Sequence, residues 1–313
     1  MTKYIELRSD TFTKPTPAML EAMFLARVGD DVFGEDEVVN TLEMKAAELF
    51  GMESAIFCPS GTMTNQLAIR THCQAGDEVI CESLSHVYIY EGGGIAVNAQ
   101  ASVKPISGQR GQINAEQVLN AINNPNDIHQ PVSRLVSLEN TANRGGGSIY
   151  DFDEILKIKK VCEEKSLKFH LDGARLFNAL VESSQSPSDY GKVFDSISIC
   201  LSKGLGCPVG SLLLGNKNFI QMTRRYRKLM GGGWRQAGYL AAAGIYALDH
   251  HVERLKEDHE RARIISSNLK SYSFVADVQP VESNIIIFQT HNTVPAKSIV
   301  EKLAQKNVKC IAI

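Results

Sequence analysis

Long apolar runs, paired cysteine motifs and any surplus of one charge are all missing from this chain of 313 residues. Without a long apolar run nothing reads as a helix that spans a bilayer. The opening segment MTKYIELRSD lacks the apolar centre of a secretory signal. Thirty-five acidic residues stand against 33 basic ones, a formal net charge of −2. That balance gives no overall field for nucleic acid or an anionic membrane. The seven cysteines (Cys58, Cys73, Cys81, Cys162, Cys200, Cys207, Cys310) are odd in number and show no CxxC spacing. They read as reduced, buried thiols of a cytoplasmic protein. Cys200 and Cys207 flank Lys203, but two further zinc ligands are lacking, so no metal is expected. No GK[ST] and no GxGxxG follows a strand-like run, which argues against a generic nucleotide-binding module.

What is present is an alternation of strand-like and helix-like segments. A helix opens at Thr16-Pro17, and a second runs over 40–50 and closes at Gly51. Strands are expected at 54–58, 78–81, 101–106, 134–138, 168–171, 196–201 and 210–214. Helices fall between them, from Thr62, after Ser85, over 114–122 and over 151–165. This pattern predicts an α/β fold with a mostly parallel central sheet covered by helices on both faces. From Arg235 the texture changes to a long helical tract reaching about Lys270, then a strand at 283–288, a helix at 296–305 and a strand from Val308. The expected division is an N-terminal segment of residues 1–15 near the active site, a large domain over 16–235 and a small α+β domain over 236–313.

Lys203 ends the apolar run of SISICLSKGLG, beside Gly204 and Gly206. A buried amine there could form a Schiff base with a flat cofactor, and the glycines would let a ring approach the backbone. A surface lysine at a strand end is the other reading. Asp172 follows the strand of LKFHLDGARLFNA, at the carboxyl end where open α/β sheets bind ligands. A carboxylate there can keep a pyridine nitrogen protonated, as pyridoxal phosphate requires. It can equally cap the helix opening at Gly173, and the two roles are compatible. CPSGTMTNQ places Ser60-Gly61-Thr62 between strand and helix, where free N–H groups and the Thr62 hydroxyl make an anion site or an ordinary capped turn. His86, in SHVYIYEGGG, could stack on a ring and move protons, or be a packed core residue. The basic run at Arg224, Arg225, Arg227 and Lys228, before GGGWR, suits phosphate or carboxylate capture, a subunit interface or a solvated helix face. His250, His251 and His259 read as surface residues of a charged helix.

Taken in order, LRSDTFTKP, GDDVFGED, PSGTMTNQ, SHVYIYEGGG, LENTANRGGG, HLDGARLFNA, LSKGLGCPVGSLL and RKLMGGGWRQAG resemble the threonine aldolase family over nearly the whole chain. These are pyridoxal 5'-phosphate enzymes of fold type I, the aspartate-aminotransferase-like fold. The resemblance implies retro-aldol cleavage of L-threonine and L-allo-threonine to glycine and acetaldehyde, and of other β-hydroxy-α-amino acids. It implies that Lys203 carries the cofactor, Asp172 pairs with the pyridinium, His86 stacks on the ring, and Gly61 and Thr62 hold the phosphate. It also implies that Arg175 sits beside the cofactor and the substrate carboxylate, that Ser9 contacts that carboxylate, and that Lys228 and Arg235 lie at the phosphate and the subunit interface. The family's dimers pair into tetramers, with each active site built from both chains of a dimer. Three departures stand out. Ala142 occupies a position where many relatives carry histidine, near the substrate side chain. The chain ends at Ile313, before the arginine and closing helix that usually follow in relatives, so a short form lacking the final helix is expected. Phe33 replaces a tyrosine of some members. The alternatives are another fold-type-I lyase or aminotransferase, or a protein that binds the cofactor without turnover.

Overall fold

The computed structural model describes residues 4–313. Its centre is a seven-stranded sheet. In chain order the strands are β1 (Ile5–Glu6), β2 (Ser54–Cys58), β3 (Glu78–Glu82), β4 (Ser102–Ile106), β5 (Ser133–Glu139), β6 (Lys168–Gly173), β7 (Ser196–Cys200), β8 (Ser211–Gly215), β9 (Val275–Val278), β10 (Phe288–Thr290) and β11 (Val308–Lys309). The large sheet runs β2-β8-β7-β6-β5-β3-β4. Every pairing in it is parallel except those of β8, which is antiparallel to both β2 and β7. Strands β3, β7 and β8 are buried along their whole length. Helices cover both faces of the sheet, so even the polar side chains of these strands, Glu78, Glu82, Ser196 and Ser198, are buried.

The reversal at β8 matters for chemistry. The chain leaves β7 at its carboxyl end and turns straight back over 201–210, and Lys203 lies in that turn. The turn is closed by Gly206 N donating to Lys203 O at 2.8 Å and by Cys207 N donating to Leu201 O at 3.1 Å. It is buttressed from outside: the His251 imidazole lies 2.7 Å from Leu205 O, and since a carbonyl only accepts, Nδ1–H donates.

Several local expectations are corrected. The second helix starts earlier, at Glu37, because Asp36 caps it by accepting from Val38 N and Val39 N. The long C-terminal tract is two helices, Gly238–His250 and Leu255–Leu269. The first of these, placed in the small domain by its texture, packs its alanine face (Ala241, Ala243, Ala247) into the main core. His251 and His259 are buried, not surface residues. His259 follows Leu255 by four and precedes Ala262 by three, the spacing of one buried helix stripe; it is held by Glu182 at 2.6 Å and Asn178 at 3.0 Å. The strand expected at 283–288 is displaced to β10, paired with β9. Residues before it are tied elsewhere: Ser283 Oγ donates to Gly147 O at 2.8 Å, Asn284 Nδ2 to Asp10 at 3.1 Å, and Glu282 accepts from Ile149 N and Arg110. The last strand is short, and β11 pairs in parallel with β1, so the two ends of the described chain meet.

Candidate active site

The functional residues expected from sequence collect at the carboxyl end of the sheet. Asp172 ends β6, beside the start of the Lys203 turn beyond β7. It is 2% exposed, with Oδ1 accepting from Ala174 N at 3.1 Å and Oδ2 accepting from Asn65 Nδ2 at 2.8 Å. The capping role foreseen for Asp172 is corrected: the next helix starts only at Leu176, with Arg175 at its cap position, and the bond from Ala174 N closes a local turn after the strand. Lys203 is half-buried, less enclosed than its apolar approach suggested, because it lies past the strand in an irregular turn.

Gly61 and Thr62 open the helix Gly61–His72, directly after β2, with Ser60 as the cap accepting from Met63 N. A side chain at Gly61 would lie 2.5 Å from Cys200 Sγ, so only glycine lets this helix start sit against the end of β7. Thr62 is exposed, as are Lys228 and Arg235. Gly232 packs so closely on Met63 that a Cβ would fall 2.3 Å from its sulfur, which brings the GGGWR loop to the same helix start. Arg235 is engaged by Asp30 at 2.9 Å. Of the other basic residues, Arg224 pairs with Glu43, while Arg227 is buried on Asp31 at 2.9 Å and on Phe57 O at 2.6 Å.

On one flank Arg175 is buried and gripped by Asp10. Nε and Nη2 donate to the two carboxylate oxygens at 2.8 Å each, a fork-to-fork pair, and Nη1 reaches Asn143 Oδ1 at 3.3 Å. Burial pushes the Asp10 carboxyl up, but Arg175, with help from Lys203 and Asn284, more than offsets it and leaves it below its usual range. Ser9 Oγ accepts from Thr11 N and Thr11 Oγ1, which leaves its own hydrogen on a 3.4 Å contact with Asp10 Oδ1.

On the other flank His86 meets carboxylates. Its Nδ1 lies 2.9 Å from Glu91 Oε1, and its backbone N donates to Glu139 Oε2 at 2.6 Å. The hydrogen bond to Glu91, aided by Asp172 and Glu139, holds the His86 imidazole above its usual range despite partial burial. Burial, then the nearby Asp172, pushes Glu139 up to about 7. Ala142 is buried three residues before the loop turns back at Gly145, and a Cβ on Gly111 would fall 2.8 Å from its methyl.

Sequence reasoning missed Asp10, Asn65, Glu91, Glu139 and Asn143 as site residues. Each lies inside a motif quoted above, but a carboxylate or amide inside a motif has no signature of its own. Their roles appear only when four separate loops converge.

The β-eliminating lyase family matches residues 6–293. The low specificity L-threonine aldolase of Escherichia coli (strain K12) is 45% identical over 283 residues, covering 90% of this chain and 83% of that protein. The corresponding Saccharomyces cerevisiae protein is 38% identical over 315 residues, covering 98% of this chain and 80% of that one. Among solved structures, a threonine aldolase of Leishmania major superposes with a TM-score of 0.84 at 20% identity, over 97% of this chain and 88% of that chain. That likeness speaks for the fold, while the closer sequences speak for the chemistry class, a lyase. The chain belongs to the β-eliminating lyase family, in its threonine aldolase group.

Proposed function

We propose that this protein is a pyridoxal 5'-phosphate-dependent L-threonine aldolase, splitting the Cα–Cβ bond of L-threonine and L-allo-threonine to give glycine and acetaldehyde, and acting likewise on related β-hydroxy-α-amino acids. The observation that carries the reading is the convergence of Asp172, the Lys203 turn and the Gly61 helix start at one end of the sheet. The residues fit the cofactor. Glu91 and Asp172 lie against the His86 imidazole and Glu139 holds the backbone N–H of the same residue, so a protonated ring nitrogen would relieve a local excess of negative charge. The helix start offers free N–H groups and the Thr62 hydroxyl to a phosphate. When bound, the cofactor would supply the electron sink for the pair left on Cα.

The chain's own residues divide the remaining work. The Lys203 amine would hold the cofactor covalently. Asp172 would keep the ring nitrogen protonated, and the His86 ring would lie along the ring face. Gly61 and Thr62 would take the phosphate, with Lys228 and Arg235 completing the charge there, across the interface of a dimer. Arg175 and Ser9 would orient the substrate carboxylate and so select which bond at Cα is presented for cleavage. Asp10 takes the Nε hydrogen and one of Nη2, and Asn143 one of Nη1, so the second hydrogens of Nη1 and Nη2 remain for that carboxylate. His86 Nε2 would take the β-hydroxyl proton; Glu91 and Glu139 stabilise the imidazolium that results. No helix among the described residues is long and apolar enough to cross a membrane, which suits a cytoplasmic enzyme. Exposed Phe24 (84%) and Phe33 (73%) suit burial between subunits of a tetramer.

The test is acetaldehyde release from L-threonine and L-allo-threonine by the chain of 313 residues with added pyridoxal phosphate. Release supports the reading, and the ratio of the two rates reports what Ala142 permits. Pyruvate from L-serine without glycine formation would move the protein to the eliminating branch of the family.

A further inference from the structure

Asn65 stands where the polar chains of Asp172, Glu91 and His170 meet and has no role in the reading above. It lies on the buried face of the helix Gly61–His72 and is 1% exposed. Its two amide hydrogens have two different carboxylates within reach: Asp172 Oδ2 at 2.8 Å and Glu91 Oε1 at 2.9 Å. Glu91 Oε1 is the same oxygen that takes the His86 Nδ1–H. Its other oxygen accepts from Gln66 Nε2 at 2.6 Å. Gln66 fits there because residue 94 is glycine; a Cβ would fall 2.6 Å from its amide carbon.

The orientation of the Asn65 amide is fixed from behind. Its Oδ1 is 3.2 Å from His170 Nε2, and His170 Nδ1 is 2.8 Å from Ser196 Oγ. Ser196 Oγ in turn is 2.8 Å from His72 Nε2. An amide oxygen only accepts, so His170 Nε2 carries a hydrogen. Burial lowers His170 to about 4, and lowers His72, with His170 beside it, to about 3, so both rings are neutral at ordinary pH. His170 Nδ1 is then an acceptor for the Ser196 hydroxyl, which leaves Ser196 Oγ to accept from His72. The chain has one direction throughout: His72, Ser196, His170, Asn65, then both carboxylates.

We propose that Asn65 is a positioning residue that aligns Asp172 and, through Glu91, His86 at the same time, with its amide locked in that orientation by His170, Ser196 and His72. It couples the group that would face the ring nitrogen to the group that would face the ring surface, though the two come from different loops. This rests on the cofactor reading above. The titratable groups facing the cluster are His86, Glu91, Glu139, Asp172 and His170, with Asp195 and Lys168 acting on His72 at the far end.

Asn65→Asp keeps the shape and replaces the two donors by a carboxylate. We expect it to weaken pyridoxal phosphate binding, read by titration of the bound chromophore, by roughly tenfold or more, and to move the pH profile of the bound cofactor's absorbance by about one pH unit or more. Ser196→Ala breaks the lock without touching either carboxylate and should move the same profile in the same direction by less. The Asn65→Gln variant, which keeps the donors on a longer arm, should restore part of the affinity. Circular dichroism and thermal melting check that each variant folds; if Asn65→Asp does not, the Ser196→Ala profile decides alone. Wild-type affinity and profile in Asn65→Asp, or in a folded Ser196→Ala, would overturn the inference. If wild-type protein itself fails to bind the cofactor, it is the proposed function that falls.

Discussion

The two flanks of the site handle charge in opposite ways. Around Arg175 the charge is matched: one guanidinium, one carboxylate and two parallel hydrogen bonds, with Asn143 beside the guanidinium and Asn284 beside the carboxylate. Around His86 it is open, with Glu91, Glu139 and Asp172 facing a single imidazole. A matched buried pair resists change, because removing either partner strands a charge. An unmatched cluster favours any cation placed within it, and here burial together with the cluster holds the Glu139 carboxyl up to about 7. The first flank therefore suits fixed orientation of a substrate, and the second suits a protonated ring and the movement of protons.

The strongest way to break the comparison is to remove what lies between the flanks. Lys203→Ala should abolish turnover and the covalent cofactor link; a retained absorbance of linked cofactor in that variant would sink the assignment. Asp172→Ala comes next. It takes away the innermost carboxylate of the open flank and should leave the cofactor weakly held and the enzyme nearly inactive. Near-normal activity would mean that the negative cluster has no part in holding the ring.

Asp10→Asn tests the closed flank. The variant leaves Arg175 charged, buried and half-satisfied, at a cost of about 3–5 kcal/mol for breaking a buried pair. Asp10 also bridges to Asn284, so the small C-terminal region should loosen as well. The expected result is a lower melting temperature and a raised KM for threonine with kcat less affected. A KM that falls instead would mean that Asp10 competes with the substrate for the guanidinium.

The contrast between flanks also marks how far sequence reading reaches. The sheet was legible because buried strands carry short apolar stretches between turn signals, and SLLLG and the apolar centres of EVICE and SISIC stand out in that way. Asp172 and Lys203 were legible because strand ends are where such folds place chemistry. Asp10 was not. It lies 165 positions from Arg175 in sequence, and nothing local to a TFT turn announces a distant guanidinium. His259 was misread because its helix is mostly charged, and one buried stripe in four turns is easily drowned by charges on the other faces. The strand expected at 283–288 failed for a related reason: apolar patterning allowed it, but side-chain bonds from Glu282, Ser283 and Asn284 to three distant loops hold the segment out of the sheet.

The smallest effect sharpens the open flank most. Glu91→Gln keeps the shape of the side chain and a hydrogen-bonding oxygen for His86 Nδ1 but removes the charge. The raised value of His86 owes most to its hydrogen bond with Glu91. A base must be unprotonated to work, so in the wild type kcat/KM should fall as pH drops through that raised value. Without the charge the imidazole loses its proton more easily, and the acidic limb should move to lower pH by about one unit. The maximal rate should drop modestly, since the imidazolium formed during the reaction loses one of its stabilising partners. A limb that stays in place would assign it to another group, and Glu139, pushed up to about 7 in the same cluster, is the one to examine by the matching Glu139→Gln exchange.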